Sequence, residues 1–141
     1  MILLDTNVIS ELVRPAPDPG VLAYIGGLDP DSVVTAAICV AEIRYGVARL
    51  PDGRRRDDLA ARISAFLDAA FADRILPFDT ACAALYGDIR TAREAAGRPI
   101  TVEDAMIAAT ARAYGVHALA TRNTRDFADC GVTLIDPWRP R

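Results

Sequence analysis

Short apolar runs alternate along this chain with stretches whose apolar residues recur at helical spacing, and that alternation constrains the fold more than any other feature. The runs are residues 2–5, SVVTA from Ser32, RILPF from Arg74, HALAT from His117 and VTLID from Val132. Each has the length of a buried strand and is too short for a helix. TNVISELVR carries Val8, Ile9 and Leu12 on one helical face, with Thr6 or Asn7 as cap, and PAPDPG stops it because proline cannot continue a helix. VLAYIGGL predicts a second short helix. Ile38, Ala41, Tyr45 and Ala48 mark a third, broken by PDGRRR; residues 55–71 then form a long amphipathic one with Leu59, Ile63, Phe66, Leu67 and Ala70 on one side. Asp79 or Thr80 caps a helix running to Ala96, and Thr101 caps VEDAMIAATARAYG, which ends at Gly115. RNTRD is a turn and PWRPR a tail. Strands alternating with helices predict an α/β domain around a parallel sheet. With no repeat or linker, residues 1–141 are expected to form a single domain.

Composition narrows the chemistry. All sixteen basic residues are arginine and lysine is absent, which excludes enzymes that need a catalytic or phosphate-binding lysine. The net charge of -3 makes any nucleic-acid footprint local. Cys39, Cys82 and Cys130 are far apart and His117 is the one histidine, so neither a zinc site nor a disulfide framework is indicated. Free thiols suit a reducing cytosol. No stretch approaches a membrane span and no secretory signal opens the chain, so a soluble, cytoplasmic protein is expected.

Four acids stand out by position. In parallel sheets, sites form at the carboxyl ends of the strands. Asp5 ends the first strand, where it can also cap the following helix. Glu42 lies among apolar neighbours early in the helix after the second strand, where pairing with Arg44 or Arg49 is the simple alternative. Asp104 opens a helix with no charge from Ala105 to Ala111. A capping box with Thr101 explains one acid there, but not both Glu103 and Asp104. Asp126 follows the fourth strand, where a turn would use it equally well. Gathered at one sheet edge, such carboxylates repel one another unless a cation neutralises them, and an all-oxygen donor set suits Mg²⁺ or Mn²⁺.

In LDTNVISEL, VAEIRYGVARLPDGRRR, GRPITVEDAMIAATAR and ATRNTRDF, in that order and along nearly the whole chain, the sequence resembles the PIN-domain ribonucleases, specifically the VapC-type toxins of type II toxin–antitoxin systems and their FitB-like branch. The resemblance implies a three-layer α/β sandwich around a parallel five-stranded sheet, and an acidic pocket for Mg²⁺ that Mn²⁺ can also fill. It assigns Asp5 and Asp104 as principal metal ligands. Glu42 and Asp126 would hold a second ion or act through water, with Thr6 and Asn123 as polar support and Glu103 as a cap or surface residue. Metal-activated water would then cleave RNA. Arg122, Arg125 and the run Arg54, Arg55 and Arg56 are candidate RNA contacts, although Asp57 and Asp58 suit that run equally to a solvated helix start.

The same resemblance implies a VapB-like antitoxin whose segment lies near the pocket. Leu12, Val21, Leu22 and Tyr24 are candidate lining for its apolar groove, with core packing as the alternative. It also implies a homodimer that touches no membrane and meets DNA only through the antitoxin. Two rivals compete with this reading. Phosphatases and phosphoacceptor domains also place Asp after a first strand, but they need a second acid where Asn7 stands, and a lysine. A catalytically silent PIN-like module binding RNA or a protein is the other; the presence of Asp5, Glu42 and Asp104 together argues against it.

Overall fold

A computed structural model describes residues 1–140. In chain order its elements are β1 (Ile2–Leu4), α1 (Thr6–Leu12), α2 (Pro19–Gly26), β2 (Val33–Ala36), α3 (Ala37–Ala48), α4 (Arg54–Ala70), β3 (Ile75–Leu76), α5 (Thr80–Ala95), α6 (Val102–Ala113), β4 (Ala118–Ala120) and β5 (Leu134–Ile135). Turns of 3-10 helix occupy Pro30–Ser32 and Thr124–Phe127. The strands form one parallel sheet in the order β3-β2-β1-β4-β5, so the expected α/β architecture is present.

Register and side-chain alternation create the layers. Leu3 stands opposite Val34 on one side and Leu119 on the other. These three share a face with Cys82 and Ile89 of α5 and the alanine-rich stretch of α6. One residue along, Leu4 and its β4 partner Ala120 point the opposite way, as does Val33. There they meet Val8 and Ile9 of α1, Val21 of α2 and Ile63 and Leu67 of α4. This is the period-two consequence of the pleat. Helix α3 straddles the layers, with Cys39 in the first core and Ile43 and Val47 in the second. All three thiols are free and buried.

Strand ends fall inside the apolar runs for local reasons. Pro77 has no N–H for a ladder, so β3 stops at Leu76. Ser32 belongs to the preceding 3-10 turn, where its hydroxyl donates to the Asp29 carbonyl at 2.7 Å. Helix α2 starts earlier than VLAYIGGL, with Pro19 in its first turn and the Asp18 carboxylate accepting from the Gly20 and Val21 N–H groups. Asp79 and Thr101 cap α5 and α6, and Gly115 takes the left-handed conformation after α6 (φ 62°). Neither Thr6 nor Asn7 caps α1; Asp5 does, from an extended backbone.

Among the described residues no helix is long and apolar enough to cross a membrane. A parallel sheet places every strand's carboxyl end on one edge. Asp5, the start of α3 and the residues after Ala120 therefore converge beside the first turn of α6.

Candidate active site

Asp5 is 4% exposed and held by neutral donors. Its Oδ1 accepts from the Thr6 backbone N–H at 2.7 Å, and its Oδ2 from the Thr121 hydroxyl at 2.7 Å and the Asn7 side-chain amide at 3.2 Å. The Cys39 Sγ lies 4.0 Å from Oδ1. Burial beside this carboxylate pushes the Cys39 thiol up to about 12, so the thiol stays protonated. The Asp5 N–H donates to the Ala120 carbonyl at 3.0 Å, which ties the carboxylate to β4. Burial raises the Asp5 pKa despite these donors, and the charge of Asp126 raises it further.

The other carboxylates are held in the same way. The Thr6 hydroxyl donates to Glu42 Oε1 at 2.8 Å. Arg44 instead donates to Ser64 Oγ at 3.3 Å, and Arg49 stacks on Tyr45, so neither pairs with Glu42. Burial, then the charges of Asp5 and Glu103, raise the Glu42 pKa. Asp104 sits in the first turn of α6, where its N–H donates to the Thr101 hydroxyl at 3.2 Å. Its pKa is raised from 3.8 to about 6, by burial first, then Asp5, with Asp126 and Glu42 adding to the push. The helix dipole acts in the opposite direction, and burial with like charge outweighs it. Glu103 is exposed.

Asp5, Glu42 and Asp104 line one cleft of about 560 Å³, joined by Thr6, Asn7 and Asn123. Asp126 does not line it. Its exposed side chain faces an adjoining cleft with Arg122 and Arg125, although its charge reaches both Asp5 and Asp104. Asn123 borders both clefts. Among the described residues no ion pair neutralises Asp5, Glu42 or Asp104, and no three acid, histidine or cysteine side chains converge closely enough to enclose a metal ion. Mg²⁺ does not require such a cage. It keeps several waters and takes one or two carboxylates directly. A cleft of hard oxygen donors with uncompensated negative charge fits that ion.

The candidate RNA-contacting arginines divide. Arg54 and Arg55 line a groove of about 860 Å³ that shares Thr6, Ser10, Arg14 and Glu42 with the acidic cleft. Arg56 is outside it, paired with Asp52 at 2.5 Å. Arg122 and Arg125 stand on the β4 side. Of the residues offered for an apolar groove, Leu12 and Leu22 line a separate cleft of about 360 Å³. Val21 is fully buried in the core and cannot line a groove; Tyr24 is outside that cleft.

Three residues of the site are not marked by the sequence. Thr121 is expected only as a strand end, yet it is buried beneath the cleft, where its hydroxyl donates to Asp5 and accepts from the Asn123 N–H at 3.0 Å. Glu11, 6% exposed, pairs with Arg14 at 3.0 Å and accepts from the Trp138 indole N–H at 3.3 Å. Trp138 corrects the reading of PWRPR as a tail. It packs on the α1 side of the core and lines the acidic cleft, while Arg141 lies outside the described residues. The one charged residue of α1 and a lone tryptophan are the signals the sequence offers.

The PIN domain profile matches residues 2–132, and the chain belongs to the PIN domain family. Within that family it is 44% identical over 138 residues to Toxin FitB of Neisseria gonorrhoeae, an alignment covering 98% of this chain and 99% of that one. It is 42% identical over 140 residues to the VapC ribonuclease Y4jK of Sinorhizobium fredii, covering 99% of both. In three dimensions it superimposes on a chain of the FitAB complex bound to the IR36 DNA fragment with a TM-score of 0.91 at 42% identity, covering 100% of this chain and 98% of the other.

Proposed function

We propose that this protein is the ribonuclease toxin of a type II toxin–antitoxin pair and hydrolyses RNA phosphodiester bonds at the acidic cleft with Mg²⁺ or Mn²⁺. The observation that carries the reading is the convergence of Asp5, Glu42 and Asp104 in one cleft, none of them paired with a cationic side chain among the described residues. Likeness along the whole chain to a named toxin and a named ribonuclease supports it. Asp5 and Asp104 are assigned as principal ligands, with Glu42 and Asp126 acting on a second ion or through water. A bound divalent ion would lower the pKa of its water and offset charge developing on the phosphate.

The chain's own residues do the positioning. Thr121, Asn7 and the Thr6 N–H fix both oxygens of Asp5, and Thr6 fixes Glu42. The first turn of α6 directs Asp104 into the same space. Asn123 and the exposed arginines extend the site toward substrate, with Arg54 and Arg55 on one side and Arg122 and Arg125 on the other. The FitAB complex supports a VapB-like antitoxin as partner, with DNA reached through it. We place the protein in the cytoplasm, as a homodimer and a single domain.

The test uses chain purified free of partner, incubated with RNA in Mg²⁺, Mn²⁺ or EDTA. Cleavage is expected with either metal and not in EDTA. Asp5→Ala and Asp104→Asn should each lower it about a hundredfold or more, at the upper end of losses seen for metal-site changes. Cleavage absent with both metals, or surviving both substitutions, overturns the reading; RNA or partner binding without cleavage would make the protein a silent PIN-like module.

A further inference from the structure

The chain's single tryptophan lies 127 positions from its hydrogen-bond partner Glu11 and borders the acidic cleft. Its ring is held by the indole N–H on Glu11, and its backbone by the N–H that donates to Asp136 Oδ1 at 3.0 Å. The Arg122 guanidinium lies over this ring, 4.8 Å from its centroid. Arg122 is exposed, borders both the acidic cleft and its neighbour, and among the described residues has no carboxylate partner and no hydrogen bond from its guanidinium. Stacking uses the face of a guanidinium and leaves its N–H edge free. That edge is the part that matches a phosphate with paired hydrogen bonds.

We propose that Trp138 is a positioning residue that holds Arg122 flat at the mouth of the acidic cleft, so that Arg122 clamps an RNA phosphate next to the bond being cleaved. The inference rests on the ribonuclease reading and names a substrate contact within it. A free arginine side chain loses rotamer entropy on being fixed; stacking on Trp138 restricts it before RNA arrives. Other arginines near the cleft have no such support: Arg14 is taken by Glu11, and Arg54 and Arg55 stack on no ring. An antitoxin segment carrying a carboxylate could also meet Arg122. The free edge of Arg122 at the mouth of the cleft that holds Asp5, Glu42 and Asp104 favours a phosphate diester of the substrate cleaved there.

The test measures RNA binding in Mg²⁺ with the Asp104→Asn chain, using fluorescently labelled bulk transfer RNA and a mixed-sequence single strand. Arg122→Ala and Trp138→Ala should each weaken binding about tenfold, the size of one lost charge-assisted hydrogen bond, and together no more than either alone. Arg122→Ala should also flatten the dependence of log affinity on log salt by about 0.7, one phosphate's share for single strands. Trp138→Phe keeps a ring face and should retain most of the binding, which separates positioning from loss of fold. In the otherwise native chain, Arg122→Lys should raise KM and leave kcat nearly unchanged. RNA should alter Trp138 emission in the parent and much less in Arg122→Ala. Binding and salt slope unchanged in both Arg122→Ala and Trp138→Ala overturn the clamp while leaving the ribonuclease reading intact. So does loss of antitoxin capture with RNA binding unaffected. A native chain that neither binds nor cleaves RNA overturns both.

Discussion

Two buried charges in this molecule are solvated by opposite means, and the contrast separates site from scaffold. Arg93, 5% exposed, meets no carboxylate among the described residues. Its guanidinium donates to the carbonyls of Arg98 at 2.7 Å, Asp126 at 2.7 Å and Ala128 at 3.0 Å. Asp5 is as deeply buried and is held by hydroxyl and amide donors. Around Arg93 the partners are fixed carbonyls that need a donor, so charge and surroundings satisfy each other. Around Asp5 the partners leave an open cleft lined by three further carboxylates, of which Glu11 is paired with Arg14 while Glu42 and Asp104 form no ion pair among the described residues. The first arrangement is complete; the second leaves Asp5, Glu42 and Asp104 without a paired cation among the described residues.

If that distinction is right, removing the cation should damage the fold and removing an acid should damage chemistry. Arg93→Ala should cost about 3 kcal/mol, because several buried carbonyls lose their donor at once; the measurement is a lowered denaturant midpoint with little change in slope. A loss under about 0.5 kcal/mol, ordinary for a surface change, would erase the contrast. Asp104→Asn should cut metal-dependent cleavage about a hundredfold while circular dichroism stays native.

Thr121→Val sharpens the comparison by removing one donor from Asp5 without changing side-chain shape. It should cost about 1 kcal/mol and, since the hydroxyl favours the charged carboxylate, move the acidic limb of the cleavage profile to higher pH. An unmoved limb would mean that Thr121 does not tune Asp5.

A further effect concerns protons in the metal-free protein. The Asp104 pKa is raised from 3.8 to about 6. Between those values the native state holds a proton that the unfolded chain has released, so this group's contribution to stability declines as pH rises through that window. Asp104→Asn cannot lose that contribution. In EDTA its melting temperature should gain on the native chain's as pH rises across the window, and a constant difference would place the burden elsewhere. Added Mn²⁺ should reverse the order near neutral pH by stabilising the native chain alone.

Local chemistry was legible in the sequence. Asp79, Thr101 and Gly115 act at the helix ends where their side chains or backbone freedom predict. The parallel sheet follows from strand–helix alternation, and that topology brings Asp5, Glu42 and Asp104 to one edge. What escaped depends on pairing between distant positions. Nothing around Thr121 announces a contact with Asp5, 116 positions away. PWRPR has no periodicity, and the seat of Trp138 exists only once α1 supplies Glu11. Arg93 is one more arginine on an amphipathic helix until the loop after β4 folds over it.

That separation also orders events on the ribosome. Asp5 emerges among the first residues, but its β4 support, the Thr121 hydroxyl and the Trp138 seat are made more than a hundred positions later. β1 is the central strand, and one flank stays bare until β4 exists. A growing chain therefore carries its first carboxylate without the neighbours that make a cleft. The cleft is complete only once residues more than a hundred positions apart in the chain have met.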